Sequence, residues 1–396
     1  MRRTVLVTDG EQRAALATVR SLGRAGYDVH VCSARTNSIS GASRYCTAKH
    51  KVADPLREPH RFLSDSIRLA AATNADVLLP VTEAALLAVL PHRSRFACAI
   101  PFADADAFSR ICDKAEVLAA ARKRGIAVPV QTEINAPLNA SQLNGELRFP
   151  LVLKPSRSVA GKEGERIRAG VTYATNANDL HTSLGTIPAA AYPVLLQQRI
   201  NGPGFGISVL VWNGELLAAF AHRRIREKPP SGGVSVLRES IQLDRDLLSR
   251  SLALLRDFNW QGVAMVEYKL DADTGLAYLM EINGRLWGSL QLAIDAGVDF
   301  PNLLVQVALG MRPKAVTTYK SGVRLRWEWG EVDHLLSVIL HPSAAIGPST
   351  HGRASGRLIA VRDFLRDFGG AQQPEVFRSD DPGPFLRETL DWFRHR

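Results

Sequence analysis

The stretch from Gly262 to Gly297, GVAMVEYKLDADTGLAYLMEINGRLWGSLQLAIDAG, constrains this chain most. Val263 to Leu270 is rich in β-branched and aromatic residues, and Ala277 to Ile282 is a second apolar run. Asp271-Ala272-Asp273-Thr274-Gly275 between them carries the short polar residues and the glycine of a hairpin turn. The pattern predicts two strands with an acid on each: Glu267 within the first and Glu281 near the end of the second. A carboxylate inside an apolar strand is costly unless it is paired or bound to a cation. Asn283 follows Glu281 by two residues, so both point from one strand face, and Arg285 lies two further on. Glu267, Glu281 and Asn283 make a hard, all-oxygen set. Such a set suits Mg²⁺, which keeps waters and shares its shell with nucleotide phosphates. Arg285 supplies a fixed cation for a phosphate or a developing oxyanion. The competing reading is a surface hairpin with scattered charges, but strand-embedded acids seldom line up this way without a cation.

A chain of 396 residues predicts two or three domains with ample core. Its 46% hydrophobic and 22% charged content is that of an ordinary globular protein. Every apolar run is interrupted well before bilayer length, which predicts no membrane span. Arg2-Arg3 and the short apolar run behind them end in Thr8-Asp9-Gly10-Glu11, too soon for a signal peptide, so the expected location is cytoplasmic. Cys32, Cys46, Cys98 and Cys112 show neither metal spacing nor a disulfide framework and read as buried free thiols. The net charge of +10 comes from arginines spread along the chain, with no aromatic-interleaved basic tract. Attraction of an anionic small molecule accounts for it better than nucleic acid does.

The N-terminal third reads as βαβ. Thr4 to Thr8 is a buried strand, Arg13 to Gly26 an amphipathic helix and Asp28 to Cys32 a second strand. The first turn, Thr8-Asp9-Gly10-Glu11-Gln12, lacks the G-x-G-x-x-G fingerprint and disfavours a nicotinamide oxidoreductase. Glu58 to Thr73 is a helix, and Ala75 to Val81 and Phe96 to Pro101 are strands. Asp9, Thr82 and Glu83 fall at strand C-terminal ends, where they face a ligand or cap the following helix. A helix opens around Ser109 to Lys114 and runs to about Gly125. Phe149-Pro150-Leu151-Val152-Leu153-Lys154-Pro155 places a lysine at the end of a very apolar run, where phosphate is a good partner. Gly206 to Trp212 and Glu215 to Ala221 form a hairpin across Asn213-Gly214. His222 to Ser235, HRRIREKPPSGGVS, reads as a charged, solvated loop. Arg245 to Phe258 is a helix, and Arg324, Arg326, Glu328 and Glu331 are candidates for a substrate wall.

The order E…MEINGRLWGS…AGVDFP, with Phe-Pro-x-Val-x-Lys-Pro before it and Asp113-Lys114 opening a helix, resembles the ATP-grasp superfamily. Its wording is most similar to the carbamoyl-phosphate-synthase-like branch with its carboxylate–amine ligases. The resemblance covers roughly residues 1 to 312. It implies an α/β chain with a Rossmann-like pre-ATP-grasp domain at 1–108, a two-lobed α+β ATP-grasp domain at 109–312 and a C-terminal α/β appendage at 313–396. Within the ATP-grasp domain it divides an ATP-binding lobe, 109–200, from a metal-holding catalytic lobe, 201–312. It implies ATP with Mg²⁺ (or Mn²⁺) as cofactors, the metal held by Glu267, Glu281 and Asn283. Lys114 and Lys154 would contact phosphate, and Gln198, Arg199 and Ile200 would form the adenine hinge. Gln197 and Gln198 stand where the family carries an acid. Arg285, with Arg223 and Arg226 from the charged loop, would face the transferred phosphate or a substrate carboxylate. Ser156 to Gly164 replaces the usual glycine-rich phosphate loop with a sequence poorer in glycine, and its arginine and lysine are candidate phosphate clamps.

The implied function is an ADP-forming ligase that activates a carboxylate as an acylphosphate and joins it to an amine. Small molecules are the expected partners, with neither nucleic acid nor membrane, and a homodimer is an open expectation. The alternatives are an ATP-grasp kinase or carbamoyl-forming enzyme with another acceptor, and a non-catalytic ATP-binding sensor.

Overall fold

The computed structural model describes residues 2–137, 148–161, 166–230, 232–340, 357–368 and 372–394. It is a mixed α/β architecture built on three larger sheets. The first is parallel, as the buried apolar strands require. It uses β1 (Thr4–Val7), β2 (Asp28–Ser33), β3 (Ala48–Lys51) and β4 (Val77–Leu79) in the order β3-β2-β1-β4. Helices α1 (Arg13–Arg24), α2 (Pro59–Ala72) and α3 (Glu83–Val89) connect and follow these strands. The strand expected at Phe96 to Pro101 is reduced to one parallel bridge, Val77 to Ala99. The helix expected from Ser109 to Gly125 is two helices, α4 (Ala105–Ile111) and α5 (Lys114–Lys123). Asp113 separates them, because its side chain accepts from the backbone N–H of Ala115 and Glu116 and so starts a new helix.

The second sheet is antiparallel, ordered β5-β10-β6-β9, and has its own apolar core. It contains β5 (Gln131–Ile134), β6 (Leu151–Pro155), β9 (Thr172–Ala174) and β10 (Val194–Gln198). A small pair, β7 (Val159–Ala160) and β8 (Ile167–Arg168), and helix α6 (Ala177–Thr186) accompany it.

The third sheet has seven strands in the order β15-β14-β11-β12-β13-β16-β17. It begins with β11 (Gly204–Trp212), β12 (Glu215–Lys228) and β13 (Val234–Ser240). Helix α7 (Arg245–Asp257) leads into the acid-bearing hairpin, β14 (Gly262–Leu270) and β15 (Ala277–Asn283). Helices α8 (Leu290–Ala296) and α9 (Phe300–Ala308) follow. The stretch from His222 to Ser235 is not the expected solvated loop. Most of it is strand, because β12 runs on to Lys228 and β13 begins at Val234. The C-terminal segment adds two edge strands to this sheet, β16 (Arg324–Arg326) and β17 (Gln373–Pro374), with α10 (Glu328–Leu340), α11 (Arg357–Phe368) and α12 (Gly383–Arg394). One continuous core joins the parallel sheet to the large sheet, from Val5 and Phe108 through Leu210 and Val263 to Leu286 and Trp287. Among the described residues no helix is long and apolar enough to cross a membrane.

Candidate functional site

Register places the two acids face to face. Glu267 in β14 pairs directly with Glu281 in β15, and Met265 with Asn283. Like charges directly opposite on a sheet repel. The site answers this with cations from every side. Lys114, the first residue of α5, sets its ammonium 3.6 Å from Glu281 Oε2 and donates to Ser158 Oγ at 2.8 Å. Lys154 reaches in from β6 and lies 4.0 Å from Met280 Sδ. Arg224 donates to Glu267 Oε2 at 2.5 Å and to Glu227 Oε1 at 3.1 Å. Arg285 donates from Nη2 to Asn283 Oδ1 at 3.0 Å and from Nη1 to the Leu286 carbonyl at 3.2 Å.

Titration follows from these contacts. Burial raises Glu281, but Lys114 and Lys154 overcome it and hold the carboxyl down to about 2. Burial also raises Glu267, and there it wins over Arg224, helped by the charge of Glu281. Burial pushes the Lys154 ammonium down to about 8, against the pull of Glu281. His222, stacked on Phe220 and bonded to Ser289 Oγ at 3.2 Å, is driven by burial to about 3 and stays neutral.

Among the described residues no group of three or more His, Cys, Asp or Glu side chains has metal-holding geometry. The set is instead two carboxylates completed by an amide. Asn283 Nδ2 sits between Glu267 Oε1 at 3.1 Å and Glu281 Oε1 at 3.2 Å. Turning the amide over brings its oxygen to the same carboxylates, leaving hard oxygen donors that fit Mg²⁺. The geometry thus gathers ammonium, guanidinium and carboxylate groups where a metal-bound polyphosphate would be neutralised.

The other predicted residues lie as follows. Gln198 ends β10 exposed, and its backbone N–H donates to the Val130 carbonyl at 2.9 Å. The Arg199 guanidinium lies 5.0 Å from the Tyr173 ring centroid, and Ile200 is buried. The Ile200 carbonyl accepts from Lys269 Nζ at 3.4 Å. Gly202 makes the turn into β11 at φ +148, where a Cβ would stand 1.8 Å from the Leu270 carbonyl oxygen. Arg223 pairs with Glu239 at 2.5 Å, and Arg226 with Glu331 and Asp367, so neither meets the paired acids. Arg324 also joins Glu239, at 3.0 Å, rather than lining a substrate wall. Arg157 turns to the Ser109 carbonyl at 2.9 Å and to Asp113 at 3.2 Å. Lys162, the other candidate clamp in that loop, lies outside the described residues. The Asp9 carboxylate accepts from Thr82 Oγ1 at 2.9 Å and from the backbone of Val81 and Thr82, which fixes the start of α3. Glu83 Oε1 then accepts from the Val159 N–H at 3.2 Å, joining the parallel sheet to the strand after Ser158.

Sequence reasoning missed Arg224. Its signal was the position of His222 and Arg224 on one face of a strand that was read as a loop. Arg224→Met should raise the Glu267 carboxyl further, since the guanidinium opposes its burial. The acidic limb of the pH–activity profile should then move to higher pH, and an unmoved limb would remove Arg224 from the site.

Comparisons place the geometry among known folds. Residues 191–330 match a family model described as ATP-grasp in the biosynthetic pathway with Ter operon. No curated protein matches the sequence. An L-amino acid ligase from Bacillus licheniformis superposes with a TM-score of 0.60 at 18% identity, over 78% of this chain and 74% of that one. The ADP complex of an N5-carboxyaminoimidazole ribonucleotide synthetase gives 0.63 at 18% identity, covering 86% and 85%. The ADP complex of the Staphylococcus aureus N5-carboxyaminoimidazole synthetase gives 0.62 at 13% identity, covering 82% of each chain. At these identities the likeness is one of fold.

Proposed function

We propose that this chain is an ATP-grasp enzyme, an ATP-dependent, ADP-forming ligase that activates a small carboxylate and joins it to an amine; the family-model match at residues 191–330 and the likeness of fold support the reading. One observation carries the reading: Asn283 bridges Glu267 and Glu281 while Lys114 stands 3.6 Å from Glu281. Two structures of similar fold hold ADP. Mg²⁺ held by Glu267, Glu281 and Asn283 would neutralise phosphate charge. Lys114 and Lys154 take phosphate oxygens, and the backbone around Gln198, Arg199 and Ile200 takes adenine.

The substrate carboxylate oxygen attacks the γ-phosphorus. A P–O bond forms, the bond to the β-phosphate oxygen breaks, and its electron pair leaves with ADP. Arg285 faces the transferred phosphoryl group and the tetrahedral oxyanion that follows. The amine nitrogen then attacks the acyl carbon, phosphate leaves with the C–O pair, and the nitrogen gives up its proton. The chain mainly positions groups and balances charge. Arg223 and Arg226 are spent on other acids, and Arg224 orients Glu267. The test is ADP release from Mg-ATP with pools of carboxylic acids, with and without amino acids. ADP and phosphate appearing only with an acid–amine pair supports the ligase. Release with an acid or alcohol alone supports the kinase alternative, and tight ATP binding without turnover in any pool supports the sensor.

Lys154 gives a pH signature. Its folded value of about 8 lies below the ordinary 10.5, so its proton leaves the folded protein first. Above about pH 8 the ATP-free chain gains stability relative to its unfolded state, which still holds that proton. ATP binding has the opposite sign, because the phosphate needs the ammonium. The ATP dissociation constant should rise by roughly tenfold per pH unit above about 8, with proton uptake on binding. Calorimetry in buffers of different ionisation heat reads both, and Lys154→Arg should flatten the profile.

A further inference from the structure

The row of residues that carries the paired acids runs on across the large sheet. Glu281 faces Glu267, Glu267 faces Gly206, and Gly206 faces His222. Residues directly opposite one another lie on one face, so the His222 ring shares the face of the two acids. Gly206 gives it room, since a Cβ there would stand 2.8 Å from His222 Cε1. The ring is 1% exposed, too deep to touch a substrate. Its Nε2 lies 3.2 Å from Ser289 Oγ, and its Nδ1 meets no hydrogen-bond partner. A buried imidazole with a single polar contact costs free energy, and an apolar ring would fill the slot without that cost. The contact with Ser289 is what the imidazole adds.

Ser289 shows the other half of the contact. It occupies the N-cap of α8, where a serine side chain ordinarily accepts from the helix N–H groups, yet it makes no such bond. Its hydroxyl is turned to His222 instead. Ser289 closes the loop that begins at Gly284 and carries Arg285. At the near end Gly284 lies against Trp260, where a Cβ would stand 2.3 Å from Cη2. Leu286 and Trp287 are buried between the ends, with Trp287 edge-on to Phe300. Apolar burial holds the loop down but is non-directional. A hydrogen bond is directional, and this one fixes the far end. We propose that His222 is a positioning residue, which through Ser289 holds the loop so that the Arg285 guanidinium stays beside Asn283. Its effect on rate rests on the role proposed for Arg285 in the ligase reading; its effect on the loop does not.

Two measurements on the full chain separate these effects. Amide hydrogen exchange over 284–289 needs no substrate. His222→Phe, which keeps a ring in the slot, should speed exchange there by roughly tenfold while α7 and the parallel sheet keep their wild-type rates. Ser289→Ala should match it, and this smaller change carries the test if His222→Phe does not fold. His222→Gln, whose amide can stand in for Nε2, should restore most of the protection. The second measurement is ADP release in the acid–amine pool that supports turnover. His222→Phe and Ser289→Ala should each cut the turnover rate about tenfold, the weight of one buried hydrogen bond. The ATP dissociation constant should stay at its wild-type value, because Lys114, Lys154 and the paired acids are untouched. The double variant should be no slower than either single one, and in an Arg285→Gln background His222→Phe should cost nothing further. Wild-type exchange in both His222→Phe and Ser289→Ala overturns the proposal. A rate loss that persists undiminished in the Arg285→Gln background overturns the link to Arg285. Absence of turnover by wild type in every pool overturns the ligase reading instead, and exchange alone then decides whether His222 holds the loop.

Discussion

Glu281→Ala should abolish magnesium-dependent ATP turnover while leaving a folded chain. Glu281 is one of only two carboxylates in the donor set, and it also faces Lys114 at 3.6 Å. On the proposed reading its loss removes a metal ligand and unbalances the cations that would meet phosphate. A loss of about a thousandfold or more in ADP release is the scale for removing such a preorganised charge. Stability should change far less. Lys114 and Lys154 lose a counter-charge, but Glu267 loses a like charge directly across the hairpin, and these effects oppose each other. A net cost of about 1–2 kcal/mol is small beside the roughly 5–15 kcal/mol of a typical domain. Glu281→Gln, which keeps the shape, should lose activity similarly. Linkage gives the sign of the pH effect. The folded carboxyl lies at about 2, below the ordinary 4.5, so its stabilisation is full above about 4.5 and is lost as pH falls toward 2. Wild type and variant should therefore converge in stability at the acid end. Full turnover in Glu281→Ala would overturn the metal assignment.

The hairpin was legible because its chemistry is local. An acid in an apolar strand is anomalous at once, and strand alternation aims Glu281 and Asn283 to one face without knowledge of any partner. Lys154 was legible for a similar reason, as a charge at the end of an apolar run, whereas Lys114 stood out only through the resemblance of its Asp113-Lys114 context. Arg224 was not, because what makes it a strand residue lies elsewhere in the chain. Its partners are Glu267, over forty residues on, and Glu227. The neighbouring charges follow suit: Arg223 finds Glu239, Arg226 finds Glu331 and Asp367, and Lys228 finds Asp333. Read locally, HRRIREK is a solvated run; in the sheet every charge is matched across a strand or from a C-terminal helix. In the C-terminal segment the strand near Arg324 and the three helices are readable from the sequence, but where they dock is not. Ion pairs and edge-strand pairing hold it to distant partners, and neither leaves a periodic trace.

Arg20→Met should produce the largest loss of stability of any single change outside the candidate site. Arg20 lies on α1 and is 1% exposed. Its Nε donates to Asp381 Oδ2 at 2.8 Å, and its remaining nitrogens donate to the carbonyls of Glu375, Val376 and Asp381. Asp381 also accepts from Ser43 Oγ at 2.7 Å and from the Arg44 N–H at 2.8 Å. Removing the guanidinium leaves three carbonyls and part of a buried carboxylate without donors. Breaking a buried pair from one side costs about 3–5 kcal/mol. Arg24 provides the contrast on the same helix. It meets Asp380 at 2.9 Å, but both side chains are at least 40% exposed. Such a pair contributes about 0–1 kcal/mol, screened by salt. Urea unfolding of Arg20→Met and Arg24→Ala should separate the two, and equal midpoints would show that the C-terminal segment adds nothing through this contact. Activity should suffer in Arg20→Met as well. Glu375, beside the Arg20 contact, binds both Arg13 and Arg238, and Arg13 Nη2 lies 3.8 Å from where Gly288 would carry a Cβ. Gly288 is three residues from Arg285. Loosening the C-terminal clamp therefore loosens the loop that aims Arg285, and ADP release should fall before the protein unfolds.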